Sequence, residues 1–304
     1  MDGFPLSFLE WLPANFSTQT PAPLVIYLHG MGGNATPIPG GGGATTVPAG
    51  LVANASAFGA ILMSLNTRTQ SGFYANTPCG GPQEQDVLDA IALERAHRAV
   101  SGVYLVGFSM GTSGAFSIAG HHPGLIRGIG VAAPITDLFQ QLAYAISVHS
   151  VPLGLIQDYC NQLPSGHNVT AVRLTQYLSV ARFHPENFSR VLMYVTGGGL
   201  DQAVPTNFAY WPYSQVNSSF VNSSCRVVPG LGEAMNCTTP FWTLFLNGAP
   251  GISFRYVYEP TGIHSALQLN GRDLFGYLFG NTPRGFATAD FPPTSVHRLP
   301  APRM

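Results

Sequence analysis

The sequence is poor in charge and has no lysine: 9% of its 304 residues are charged, and all 13 basic residues are arginine. Acidic and basic residues nearly cancel, to a net charge of -1. The chain therefore lacks the positive field that sequence-independent nucleic-acid binding requires. It also lacks an uninterrupted apolar run of about 18 residues, the length that suggests a membrane-spanning helix. We expect no nucleic-acid partner and no membrane span.

Glycine and proline, at 35 and 25 residues, stay below the share typical of low-complexity chains, and the collagen period is absent. Hydrophobic residues make up 45% of the chain. A chain of this length buries roughly 75% of the surface that its unfolded form exposes, so it needs no disulfide or metal to fold. This length allows one large domain or two small ones, of which we expect one, spanning residues 1–304.

Cysteine is scarce. The four residues Cys79, Cys160, Cys225 and Cys237 show no Cys-x-x-Cys spacing of a metal site, and three pairings are open to them. We favour a disulfide between Cys225 and Cys237, because these two flank a loop that contains proline and glycine.

The glycosylation sequon Asn-x-Ser/Thr is abundant by contrast, at eight of the 15 asparagines, where chance predicts about two. The eight are Asn15, Asn34, Asn54, Asn168, Asn187, Asn217, Asn222 and Asn236. This excess favours a secreted glycoprotein, although a surface rich in Ser and Thr is the alternative explanation. Residues 1–5 do not form a secretory signal, so we expect the signal segment to lie outside this sequence.

Short apolar runs alternate with helical stretches along the chain. The runs predicted as strands are 24–28, 60–65, 103–106, 191–195 and 252–258, and the predicted helices are 85–99 and 113–121. This alternation predicts an α/β fold with a mostly parallel central sheet flanked by helices.

Three stretches fall outside the alternation. Residues 137–189 carry weak helical patterns and are predicted to form a helical cap insertion, and residues 206–251 are predicted to form a surface insertion. The glycine tract 40–43 is predicted to be a flexible loop rather than a phosphate site, since no lysine follows it.

The strongest local signal is Gly107-Phe108-Ser109-Met110-Gly111, a Gly-x-Ser-x-Gly motif that connects a predicted strand to a predicted helix. Such a sharp turn projects a nucleophilic serine, and its flanking glycines leave room for the strained backbone. The backbone N–H of Met110, at the start of the helix, can stabilise a developing oxyanion. We therefore predict Ser109 as the nucleophile and Met110 as an oxyanion donor.

Two further segments support a resemblance. Residues 29–34, His-Gly-Met-Gly-Gly-Asn, and residues 85–91, Gln-Asp-Val-Leu-Asp-Ala-Ile, resemble the corresponding segments of α/β-hydrolases. The chain is similar to the esterase, polyhydroxybutyrate-depolymerase-like, feruloyl-esterase-like and prolyl-oligopeptidase-related serine hydrolases over about residues 10–135 and 180–275. The resemblance implies a second oxyanion donor at the backbone N–H of Met31 and a structural role for His29.

The resemblance also implies an acid and a base, in the chain order serine, acid, histidine. Asp201 lies in a Gly-x-x-Asp-x-x-Val-Pro-like loop, with Asp137 and Glu259 as alternatives. His264 lies in a Gly-x-His-Ser segment after the last predicted strand. Partial exposure or helix C-capping is expected to explain His121 and His122, near the end of the helix after the serine turn. His149, His167 and His184, in the predicted cap, are expected to be structural.

The loops that should border the cleft contain aromatic residues, of which Phe73, Tyr74 and Trp211 are candidates to bind substrate, with core packing as the alternative. The resemblance implies a serine hydrolase that cleaves carboxylic esters, of small molecules or polymers, with no cofactor and no metal. The alternatives are a serine peptidase of the prolyl-oligopeptidase-related kind and an inactive, glycosylated binding protein on the same fold.

Overall fold

A computed structural model of the chain describes residues 7–35, 47–66, 68, 74, 76–77, 81–136, 138, 179–188, 190–198, 200–204, 225–228, 233–238, 253–259, 262–269, 272–280 and 295–298. The strands are β1 (Ser7–Trp11), β2 (Ala22–Leu28), β3 (Ile61–Leu65), β4 (Asn76–Thr77), β5 (Gly81–Pro82), β6 (Val100–Phe108), β7 (Ile126–Ala132), β8 (Leu192–Gly198), β9 (Cys225–Val228), β10 (Glu233–Thr238), β11 (Ser253–Glu259) and β12 (Ser295–Arg298). The α-helices are α1 (Ala49–Ala57), α2 (Gln83–His97), α3 (Met110–His121), α4 (Val180–Phe183) and α5 (Arg272–Phe279), with 3-10 turns at Pro185–Phe188 and Ala266–Leu269.

Within the described ranges, ten strands form one sheet in the order β12-β1-β3-β2-β6-β7-β8-β11-β10-β9. The six central strands, β3 to β11 in that order, are parallel to one another. Both edges are antiparallel, with β1 and β12 on one side and β10 and β9 on the other. The predicted parallel α/β architecture is confirmed, because each run predicted as a strand overlaps one of these six strands.

The two faces of the sheet bury two separate groups of side chains. Along β2, Leu24, Ile26 and Leu28 contact the core on one face, whereas Val25 and Tyr27 contact the core on the other. This alternation follows from the pleat of a strand. Helices α2 and α3 cover the first face and α1 and α5 the second, so β2, β3, β6, β7 and β8 are buried on both sides.

The described parts of the two predicted insertions are short. Helix α4 and the 3-10 turn at Pro185–Phe188 lie within the predicted cap and pack against α3, and most of residues 137–189 lies outside the described residues. Strands β9 and β10 lie within 206–251 and extend the sheet beyond β11. Their register places Cys225 directly opposite Cys237. Cys79, Cys160 and the glycine tract 40–43 lie outside the described residues.

Candidate active site

The sheet order fixes where a site can form. The chain leaves β2 for β3 on one side and returns as β6 on the other side of β2. The loops after β2 and β6 therefore diverge and open a crevice at the carboxyl ends of these strands, which is where open α/β sheets bind ligands. The β2–β6 register pairs Leu28 with Gly107, so both loops begin at the same level of the sheet.

Ser109 occupies the turn between β6 and α3 with φ 51° and ψ -117°. A residue other than glycine rarely adopts this backbone conformation, and it persists only where the surroundings impose it. The flanking glycines are sterically required. A Cβ atom at Gly107 would lie 2.4 Å from the carbonyl oxygen of Gly111, and one at Gly111 would lie 1.9 Å from that of Leu28. The predicted elbow therefore exists and is pressed against the end of β2.

Thr112 supports this turn, which sequence reasoning did not predict. Its side chain is fully buried, and Oγ1 donates a 2.6 Å hydrogen bond to the carbonyl oxygen of Ser109. Oγ1 of Thr112 also accepts a hydrogen bond from the backbone N–H of Ile135 at 2.8 Å. The N–H of Ser109 donates to the carbonyl of Ala132 at 3.0 Å. The turn is thus tied to the end of β7 on both sides of the serine.

The structure brings Ser109, His264 and Asp201 together, although they are distant in sequence. Nε2 of His264 lies 3.0 Å from Oγ of Ser109, and Nδ1 lies 2.8 Å from Oδ2 of Asp201. With the proton on Nδ1, that nitrogen donates to the carboxylate and Nε2 accepts from the serine hydroxyl. Such an arrangement can remove the proton of the serine and stabilise the imidazolium that results.

The carboxylate of Asp201 is held rigidly. Asp201 is only 5% exposed, and its Oδ1 accepts the backbone N–H groups of Ala203 and Val204 at 2.9 and 2.8 Å. The loop that carries it is joined to the histidine loop, since the N–H of Leu200 donates to the carbonyl of Gly262 at 2.8 Å. One carboxylate oxygen is therefore occupied by the backbone, and the other faces the imidazole.

The imidazole of His264 also packs on an aromatic ring. Its centroid lies 4.7 Å from that of Phe108, the residue before Ser109. Phe108 in turn fills the space beside Gly30. A Cβ atom added at Gly30 would lie 2.9 Å from the phenyl ring of Phe108. The variable position before the serine thus supports the base, and the motif pattern alone gave no signal of this.

The loop after β2 lies against the elbow. His29 is fully buried, its Nδ1 donates to the carbonyl oxygen of Gly30 at 2.9 Å, and burial lowers its pKa. These contacts agree with the structural role expected for His29. The N–H of Gly33 closes the turn onto Gly30 at 2.9 Å. Met31 is half-buried against the core between these residues.

Met110 is buried and is the first residue of α3. The N–H groups of the first turn have no partner within a helix, which leaves that of Met110 available to a ligand at the serine. The two predicted oxyanion donors, Met31 and Met110, therefore follow the two strands that border the crevice.

Of the two roles predicted for Tyr74, substrate contact and core packing, its burial agrees with core packing. It is 1% exposed and lies beneath the crevice rather than on its wall, where its hydroxyl donates to the carbonyl of His29 at 3.3 Å. Phe73, Trp211, Asp137, His149 and His167 lie outside the described residues, and the side chain of Glu259 is not described. His184 is exposed after α4.

His121 and His122 do not simply end a helix, as predicted, but bind a buried carboxylate. Oε1 of Glu84, in the first turn of α2, lies 2.7 Å from Nε2 of His122, and Oε2 lies 3.1 Å from Nδ1 of His121. Oγ of Ser117 lies 3.3 Å from the same Nδ1. This cluster joins the start of α2 to the end of α3.

We expect Glu84→Gln to lower the free energy of unfolding by about 1–3 kcal/mol at neutral pH, because it removes a buried charge-assisted hydrogen bond. Burial alone would raise the pKa of Glu84, but hydrogen bonds and charge from His121 and His122 outweigh it and lower that pKa. The charged form is thus favoured by folding, so its contribution is complete above the ordinary glutamate pKa of about 4.3 and is lost as the pH falls further. Urea unfolding of both proteins between pH 7 and pH 3 tests this, and a pH-independent difference would contradict it.

The described residues bring together no group of three or more His, Cys, Asp or Glu that could hold a metal ion. No helix in them is both long enough and apolar enough to cross a membrane.

No protein-family model and no curated protein matches the sequence. Solved structures do match. An S-formylglutathione hydrolase from Agrobacterium tumefaciens aligns with a TM-score of 0.54 and 17% identity over 87% of this chain and 85% of that one. A substrate-bound, fluorophosphonate-binding serine hydrolase of Staphylococcus aureus aligns with a TM-score of 0.57 and 14% identity over 89% of this chain and 91% of that one.

An acylaminoacyl peptidase of Pyrococcus horikoshii aligns with a TM-score of 0.58 and 11% identity over 93% of this chain. The alignment covers only 40% of that peptidase. The strand order, the elbow after β6 and these likenesses lead to one conclusion: the chain has the α/β-hydrolase fold.

Proposed function

We propose that the chain is a serine hydrolase that cleaves carboxylic esters through an acyl-enzyme intermediate. The observation that carries the proposal is the relay of Ser109, His264 and Asp201, whose two hydrogen bonds measure 3.0 and 2.8 Å. A polar relay at the carboxyl ends of the central strands, on a strained serine, has the geometry that nucleophilic catalysis requires.

The proposed reaction begins when Oγ of Ser109 attacks the ester carbonyl carbon and Nε2 of His264 takes the hydroxyl proton. The carbonyl oxygen becomes an anion, which accepts hydrogen bonds from the N–H groups of Met31 and Met110. His264 then gives its proton to the leaving alcohol, and the carbonyl re-forms as an acyl-serine. Water, deprotonated by the same nitrogen, attacks the acyl group and restores Ser109.

Asp201 keeps the imidazole proton on Nδ1 throughout these steps and stabilises the imidazolium. Its two backbone N–H donors hold the carboxylate in place, so only one oxygen is available to His264. In this proposal Phe73 and Trp211 remain candidate substrate contacts.

A serine peptidase is the second candidate, because the acylaminoacyl peptidase aligns with a TM-score as high as that of the hydrolases. An amide has a poorer leaving group than an ester, so a peptidase must also position the leaving amine for protonation. Parallel assays of p-nitrophenyl esters of graded acyl length and of aminoacyl arylamides discriminate the two. Faster turnover of an arylamide than of every ester would refute the esterase proposal.

An inactive binding protein would bind ligands but not react. Labelling with a fluorophosphonate probe, with the modified residue located by peptide mass spectrometry, tests this alternative. Labelling of Ser109 favours the hydrolase, and its absence in folded protein favours the binding protein.

We further propose that the protein is secreted. The sequon asparagine Asn15 is exposed, whereas the amides of Asn54 and Asn187 donate to the carbonyls of Gly50 and Gly120. Asn15 is therefore the better glycan acceptor among these three, and the Cys225–Cys237 register is compatible with a disulfide. Intact mass of the secreted protein, before and after deglycosylation and reduction, tests both features.

A further inference from the structure

Tyr74 lies between the two segments that carry the proposed oxyanion donors. On one side its hydroxyl donates to the backbone carbonyl of His29 at 3.3 Å. The centroids of the Tyr74 ring and the His29 imidazole lie 5.7 Å apart. On the other side Tyr74 packs on α3 at Gly114. A Cβ atom added at Gly114 would lie 2.7 Å from the Cβ atom of Tyr74. The side chain thus contacts both the loop before Met31 and the helix that begins at Met110.

Tyr74 is itself held in a fixed position. Its backbone has φ 56°, a conformation that is strained for a bulky residue and persists only where neighbouring contacts impose it. Its N–H donates to Oε1 of Gln83 at 3.1 Å, and Gln83 is buried at the start of α2. Nearby, Arg68 donates to both carboxylate oxygens of Asp86 at 2.7 and 2.6 Å. Helix α2 therefore holds the backbone of Tyr74 through Gln83 and the side chain of Arg68 through Asp86.

The β2 loop is restrained from outside beside Gly30, where Phe108 packs, and at Ala35, whose N–H donates to Oδ1 of Asn66 at 2.6 Å. Gly30, Gly32 and Gly33 surround Met31, and glycine leaves the backbone more freedom than any other residue. The hydrogen bonds of His29 and Gly33 to Gly30 are internal to the loop, so they close the turn without fixing its distance from α3. The Tyr74 hydroxyl holds the peptide unit immediately before the one that contains the Met31 N–H.

From these contacts we infer that Tyr74 is a positioning residue that sets the spacing between the Met31 and Met110 N–H groups. The inference rests on the proposed hydrolase function. Because oxyanion donors act only when they lie at hydrogen-bond distance from the anion, a looser loop weakens stabilisation of the transition state more than binding of the substrate.

We expect Tyr74→Phe, which removes only the hydroxyl, to lower kcat for p-nitrophenyl acetate by about tenfold and to change KM by less than about twofold. Affinity for a trifluoromethyl ketone, which forms a tetrahedral oxyanion on the serine, should fall by a similar factor. Active sites are counted by fluorophosphonate titration, so that loss of folded protein does not count as loss of kcat.

Tyr104→Phe is the matched control. Tyr104 is also a buried tyrosine, in the middle of strand β6, which leads to the elbow, and its ring packs on Phe279 rather than on the site. This variant should keep kcat and ketone affinity within about twofold of the wild type.

Gly114→Ala approaches the same contact from α3. The added Cβ atom must displace Tyr74, so kcat should again fall with little change in KM. Gly276→Ala in α5 is its control, because a Cβ atom there meets only the ring of Phe58 at 3.9 Å.

The outcomes separate the inference from the function on which it rests. Wild-type protein that neither hydrolyses esters nor labels at Ser109 would overturn both. Active wild type with unchanged kcat and ketone affinity in Tyr74→Phe would overturn the inference alone, even if the variant were less stable. A fall of kcat and KM by the same factor would also contradict it, because kcat/KM, which measures stabilisation of the transition state, would then be unchanged.

Discussion

Ser109→Ala should reduce turnover of a short p-nitrophenyl ester by about 10⁴- to 10⁶-fold while leaving the fold intact. The hydroxyl oxygen is the group that would form the acyl bond, and His264 at 3.0 Å cannot replace it as the nucleophile of this relay. The turn itself should survive, because its hydrogen bonds to Ala132 and Thr112 use the backbone of Ser109. Steady-state rates with circular dichroism and urea unfolding measure both effects.

Ser113→Ala is the control for this substitution. Ser113 lies one turn further along α3, is buried, and its Oγ has no hydrogen-bond partner among the described residues. Removing an unsatisfied buried hydroxyl should leave turnover within about twofold of the wild type and leave stability unchanged or slightly higher. Retention of more than a tenth of the wild-type rate in Ser109→Ala would refute the role of Ser109 as nucleophile.

Asp201→Asn should lower kcat by about 10³- to 10⁴-fold with little change in KM. The N–H groups of Ala203 and Val204 require an oxygen at the Oδ1 position, so the new amide must turn its NH₂ group toward Nδ1 of His264. An NH₂ donor there forces Nδ1 to be the acceptor and moves the imidazole proton to Nε2. The imidazole then cannot accept the proton of Ser109.

The pair Asp201→Asn and Asp89→Asn tests this explanation at equal change in charge. Asp89 lies on α2 and accepts a 2.9 Å hydrogen bond from the exposed side chain of Gln85, so Asp89→Asn should leave kcat within about twofold of the wild type. Slow labelling of Ser109 by the fluorophosphonate is expected for Asp201→Asn alone. Equal losses in both variants would indicate an effect of net charge instead of the tautomer.

Five of the six central strands could be predicted from sequence, because a strand buried on both faces reads as a continuous apolar run. The run at 24–28 and the strand Ala22–Leu28 agree in this way. Strand β7 was not predicted, since Arg127, Gly128 and Gly130 interrupt its apolar residues. The edge strand Ser7–Trp11 was not predicted, because its partners, Ile61–Leu65 and Ser295–Arg298, are far away in sequence. Residues 206–251 were read as an insertion, and the strands within them take their place from pairing with β11.

Within the candidate site, the serine turn was visible in the sequence because five adjacent residues build it and two of them must be glycine for steric reasons. The acid and the base were suggested by a family resemblance, and their approach to Ser109 was visible only in the folded chain. Tyr74 and Thr112 received their positions from tertiary structure alone, since each acts through a backbone carbonyl that any residue could provide. Local sequence thus determines where the strained serine turn stands, whereas the packing of distant loops decides which side chains reach it, because their contacts join residues that no local pattern relates.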